Sequence, residues 1–200
     1  MPKMDLFSLE INGRIGFMGK SLTKFHDLIG VAVFAALGTI LMFFEFPVLF
    51  WLPFLKIDLS DCVVIIGSFA FGPVGGTLIA LLKAVIHVLI TGSGVAGLIG
   101  NGSAFFSSVS LLLPFYYFWK KGHKVSAVVV STLVMTAVMS ILNYLVVMPL
   151  YMNVVGMKLN MSLAEYVATG VVPFNIVKAL IISLAVIICY PKIKGHLSIK

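Results

Sequence analysis

The sequence predicts an all-α membrane protein, a six-transmembrane-helix bundle with both termini cytoplasmic. Three observations predict it. Of the 200 residues, 60% are hydrophobic and only 10% are charged, a balance far outside that of a water-soluble domain of this length. Apolar stretches of about 20 residues, enough to cross about 30 Å of hydrocarbon, recur along the chain. The cations are also partitioned. With the N-terminus inside, Lys3, Arg14, Lys20, Lys24, Lys120, Lys121, Lys124, Lys192, Lys194 and Lys200 are cytoplasmic, and only Lys56 and Lys158 are outside. That bias supports an even number of spans.

The elements follow in order. Segment 1–27 mixes apolar and polar residues in "MDLFSLEINGRIGFMGKSL" and is read as cytoplasmic or interfacial; it has no apolar run ending in a cleavage site, so no cleaved signal is expected. The membrane domain, 28–190, holds spans at 28–47, 59–73, 75–91, 95–119, 125–148 and 170–190. The second and third would be one long helix without the break "GPVGG" at 72–76. Residues 191–200 form a basic cytoplasmic tail.

The net charge of +7 follows from this topology and needs no nucleic acid. The run "KKGHK" at 120–124 faces the headgroups of membrane lipids. Cys62 and Cys189 are read as core residues, with neither a disulfide nor a metal site expected. No phosphate-binding Gly-x-x-x-x-Gly-Lys-Ser/Thr run occurs, nor a zinc-protease or serine-hydrolase motif. The chain is read as a non-enzyme without a cofactor, and any energy for transport must come from partners.

The polar residues within the spans carry the functional reading. Lys178 lies about 12 Å and Asn175 about 8 Å into the last span, on one face. A charge so deep costs about 2.5–3.5 kcal/mol and needs a compensating role. Asn143 and Tyr144, His87 and Lys83, and Asn101 between Gly100 and Gly102 also fall in the outer half, where Glu45 ends the first helix and Asp58 and Asp61 open the second. Together they outline a pocket open to the exterior. Each has a plainer packing alternative: Asn143 as helix glue, His87 as a core histidine, Tyr144 as part of an interfacial aromatic belt. The loop "EFPVLFWLPFLKIDLSD" at 45–61, with Pro47, Leu49, Trp51, Pro53 and Phe54, is read as a stiff apolar lid over a planar, polar-edged molecule. Lys56 within it is read as a solvated loop lysine.

Four blocks, "LPFLKIDLSD" at 52–61, "FAFGPVGGTLIALLKAVIH" at 69–87, "SILNYLVVMPLY" at 140–151 and "VPFNIVKAL" at 172–180, resemble the riboflavin-binding S components of energy-coupling factor vitamin transporters. The resemblance runs in order from about residue 30 to 190. It implies a six-helix capture subunit in the bacterial cell membrane, working with a membrane T component and two ABC-type ATPases. It also implies that Asn143, Asn175 and Lys178 hydrogen-bond the flavin ring edge, that the loop through Pro47, Leu49 and Pro53 covers the ligand, and that Asn101 or Lys83 meets the ribityl hydroxyls. Helix three departs from the family pattern, carrying Ala84 and His87 where Asn-rich positions are expected. On the first helix, Ala32 and Ala36, continued by Gly38 and Thr39, match the small face through which S components dock on the T component. An S component for another vitamin is one rival reading; an intramembrane lipid- or quinone-modifying enzyme using Lys83 and His87 is another.

Overall fold

The computed structural model describes residues 25–49, 52 and 55–195. They form α1 (Phe25–Met42), a two-strand hairpin of β1 (Phe46–Pro47) and β2 (Lys56–Ile57), α2 (Ser60–Thr91), α3 (Gly94–Lys120), α4 (Lys124–Leu142), α5 (Met148–Val154), α6 (Leu163–Tyr166) and α7 (Val172–Ile193). Short π-helical stretches, Asn143–Val147 and Val167–Val171, fuse α4 to α5 and α6 to α7. Among the described residues five helices are thus long and apolar enough to cross a membrane. Their outward faces expose Leu89, Leu133, Leu145 and Leu184, as hydrocarbon contact requires.

α2 is 32 residues long, about 48 Å if straight, but it is not straight. Lys83 Nζ lies 2.6 Å from Asp61 Oδ1, although 22 residues of straight helix would separate their backbones by about 33 Å. The helix therefore doubles back at Gly72, whose φ of 80° and ψ of 172° suit a residue without Cβ. Only Gly72 leaves helical geometry; Pro73 opens the returning arm, where its missing N–H costs nothing. The arms touch closely, since a Cβ on Gly76 would stand 2.6 Å from Ser68 Cβ. The first arm, 60–71, is only about 18 Å long, so its polar start is not at the end of the bundle. Ser60 and Asp61 are buried inside it.

Several boundaries differ from the sequence expectation. α1 stops at Met42 rather than 47, so Glu45 does not end it. Instead Glu45 pairs with Lys56 across the hairpin, which aligns Phe46 with Ile57 and Pro47 with Lys56. Lys56 is therefore not simply solvated, although a half-exposed pair contributes at most about 1 kcal/mol. The last apolar helix begins seven residues before 170, at Leu163, because Ser162 accepts a hydrogen bond from the Glu165 N–H at 3.2 Å. That Ser-x-x-Glu start is a capping signal present in the sequence.

On α1, Ala32 and Ala36 are exposed, whereas Ala35, Gly38 and Thr39 are buried against the bundle. Gly38 and Thr39 thus do not continue the outward small face. The Thr39 hydroxyl donates to Ala35 O at 2.9 Å, and the Lys83 stem lies against Gly38.

The core has two parts. One runs through the bundle and includes Ile65, Ile79, Leu111, Met135 and Ile182. At the end bearing the α3–α4 turn it becomes aromatic: the Phe69 ring lies 4.6 Å from Tyr190 and 5.8 Å from both Tyr116 and Trp119, and Phe115 stacks on Trp119 at 5.3 Å. The other part joins Leu49, Leu52 and Ile57 of the loop to Met148, Tyr166, Val171 and Phe174. It anchors the loop to the opposite end of the bundle.

Candidate functional site

At that opposite end, where α1 and α2 finish and α3 and α7 begin, lies a partly open cavity of about 430 Å³. Small-molecule sites occupy about 300–1,000 Å³. Asn101, Asn143, Asn175 and Lys178 line it, as do His87 and Asp58.

The three asparagines share one local geometry. Asn101 Nδ2 donates to Gly97 O at 2.9 Å, Asn143 Nδ2 to Met139 O at 2.8 Å and Asn175 Nδ2 to Val171 O at 2.8 Å. Each bond reaches back one helical turn and holds the side chain in a single orientation. Two are tied to the π-helical stretches, which Asn143 opens and Val171 closes. Such stretches interrupt the regular ladder and recur at functional sites. Tyr166 OH donates to Asn143 Oδ1 at 3.4 Å, tying the end of α6 to the first stretch.

Lys178 does not stand alone. Its Nζ lies 3.0 Å from Asp61 Oδ2, as an ion pair rather than an aligned hydrogen bond. Lys83 Nζ takes the other oxygen, Oδ1, at 2.6 Å and also reaches Ser60 Oγ at 2.6 Å. The Ser108 hydroxyl donates to the same Oδ1. All of these side chains are buried. One carboxylate between two ammoniums leaves the cluster with a formal charge of +1. Lys178 presents that charge to the cavity, because Lys83 lies outside its lining. An ammonium has three donors, so Lys178 can hold Asp61 and still donate to a ligand acceptor.

The remaining predicted residues lie elsewhere. Tyr144 is exposed and borders a shallow apolar groove with Ile141, Leu145 and Val167 on the outer surface of the helices. Pro47 is exposed on β1, and Leu49 is buried in the loop cluster beside the cavity. Pro53, like Trp51 and Phe54, lies outside the described residues. Asp61, expected from the sequence only to open a helix, stands instead at the centre of the cluster. The signal was present: two lysines within the spans need a counter-charge, and few carboxylates are near enough to serve.

With this geometry in view, comparison with known proteins assigns the chain. Residues 26–190 match the family described as ECF transporter, substrate-specific component. This chain belongs to that family. Riboflavin transporter RibU of Staphylococcus aureus (strain TCH60) is 34% identical over 179 residues, covering 85% of this chain and 91% of the relative. Riboflavin transporter FmnP of Bacillus subtilis (strain 168) is 29% identical over 177 residues, 86% of this chain and 93% of the relative. A solved structure of the S component of a bacterial ECF transporter superposes with a TM-score of 0.73 at 33% identity, covering 88% of this chain and 99% of that one. As an S component with long apolar helices, this is a multi-pass protein of the bacterial cell membrane.

Proposed function

We propose that this S component captures riboflavin from outside the cell and delivers it to an ATP-driven uptake complex. The observation that carries the reading is that Asn143, Asn175 and Lys178 line the same cavity, bringing amides and an ammonium to it. Amides both donate and accept, as the pyrimidine-like edge of a flavin requires, and the ammonium supplies a donor to a carbonyl oxygen or ring nitrogen. The names of the relatives support the same ligand. The enzyme reading loses its support, because Lys83 is held by Asp61 and Ser60 and does not border the cavity.

In this reading the arms of α2 count as two helices of a six-helix bundle, with 1–27 and 191–200 as cytoplasmic flanks of the 28–190 membrane domain and the cavity facing outward. The loop through Pro47, Leu49 and Pro53 covers the ligand. The partners are a T component and two ABC-type ATPases, with Ala32 and Ala36 as the docking face; their exposure supports this. Neither nucleic acid nor a resident cofactor takes part.

Purification from cells grown in rich medium tests the ligand: the protein should be yellow and carry about one riboflavin by absorbance and mass. A colourless protein that does not quench added riboflavin refutes the proposal. Docking is tested separately by enlarging Ala32 and Ala36 together to Trp. Riboflavin affinity should stay within about threefold, or about 0.7 kcal/mol, while ATP-dependent uptake falls to background. Retained uptake would place the docking face elsewhere.

A further inference from the structure

The side of the cavity formed by α2 and α3 is built differently. Asn101 gives Nδ2 to Gly97 O, which turns its amide oxygen away from that carbonyl. The oxygen lies 3.0 Å from His87 Nδ1. An amide oxygen only accepts, so Nδ1 must carry a proton. In the neutral ring Nε2 is then an acceptor, and among the described residues it has no hydrogen-bond partner. The Phe43 ring lies 5.0 Å from the imidazole and supports one side of it.

Around His87 the cavity is lined by α3 residues that bring little bulk: Gly97, Gly100, Ser103 and Ser107, with Ser93 just before the helix. Their spacing of three and four puts them on one face. This side offers room, hydroxyls and an oriented acceptor, which suits a flexible hydroxylated chain better than the edge of a flat ring. Lys83, the other candidate for that chain, is engaged by Asp61 and Ser60.

We infer that His87 is a specificity-determining ligand contact, whose Nε2 accepts a hydrogen bond from a hydroxyl of the ligand's polyol arm while Asn101 holds the ring in that tautomer. The inference rests on the riboflavin reading. It assigns the arm to the α2–α3 wall and leaves the ring edge to Lys178 and its neighbours.

The test compares riboflavin with lumiflavin, which keeps the ring system and replaces the ribityl arm by a methyl group. Purified full-length parent, His87→Leu, His87→Ala and His87→Gln are titrated with each by flavin fluorescence quenching. The Leu and Ala variants should lose about tenfold in riboflavin affinity, equivalent to about 1.4 kcal/mol, with lumiflavin affinity within about twofold of the parent. Gln keeps an acceptor oxygen and should recover part of the riboflavin loss. Equal losses for the two flavins, or no loss for riboflavin, overturn the inference while flavin binding by the parent leaves the proposed function standing. A parent that binds neither flavin removes both.

Discussion

The two ends of the bundle are built from the same helices and solve opposite problems. At the α3–α4 turn, Phe69, Phe115, Trp119 and Tyr190 fill the space between helices with rings, and Lys121 and Lys124 cover Tyr117 and Trp119. At the other end glycine, serine and asparagine stand among the Tyr151, Tyr166 and Phe174 rings, π-helical stretches interrupt α4–α5 and α6–α7, and a cavity remains. Rings repay their packing by burying large apolar area, so the first end gains stability from being full. The second keeps amides and an ammonium that a ligand can satisfy. Stability and binding are therefore expected to respond to substitutions at different ends.

The largest effect should come from Asp61, where the two roles meet. Asp61→Asn takes from two buried ammoniums the carboxylate they share, and removing one member of a buried pair costs about 3–5 kcal/mol. Purified yield and detergent melting temperature should both fall. Adding Lys83→Met removes one stranded charge and should restore much of the stability. A single Asp61→Asn variant as stable as the parent would show that the ion cluster does not hold these helices together.

Phe69→Ala sharpens the comparison from the filled end. The ring is only 2% exposed, and truncation of a buried Phe costs about 3–5 kcal/mol. Melting temperature should drop, while the riboflavin dissociation constant of the folded fraction stays within about twofold. Loss of affinity in step with stability would erase the proposed division between the ends.

Lys178→Ala and Asn175→Ala should show the reverse pattern with a smaller energy. Removing Lys178 leaves Asp61 balanced by Lys83, so the fold has no stranded charge. Binding should weaken tenfold or more for Lys178→Ala, in line with the about 1.5–3 kcal/mol of a hydrogen bond involving a charged group, and by less for Asn175→Ala, whose neutral bond contributes about 0.5–1.5 kcal/mol. Fluorescence titration reads the affinity and thermal melting the stability. Unchanged dissociation constants in both variants would take the ring edge away from these residues.

Much of this architecture was legible in the amino-acid sequence. Apolar length marked the membrane helices, since a backbone in hydrocarbon must bond to itself. Gly72 marked the fold-back, because few other residues adopt its backbone angles. Three-and-four spacing put Asn175 beside Lys178 and Lys83 beside His87, each on one face of its own helix. Periodicity within a helix cannot say which other helix that face meets. Only the tertiary structure set Asp61 between Lys83 and Lys178, turned Lys83 away from the cavity at a depth like that of its partner, and left Ala32 outside while Gly38 went in. The physical reason is that a charge buried in an apolar bundle is held by its nearest countercharge, and nearness across helices is decided by how the helices pack rather than by the order of residues along any one of them.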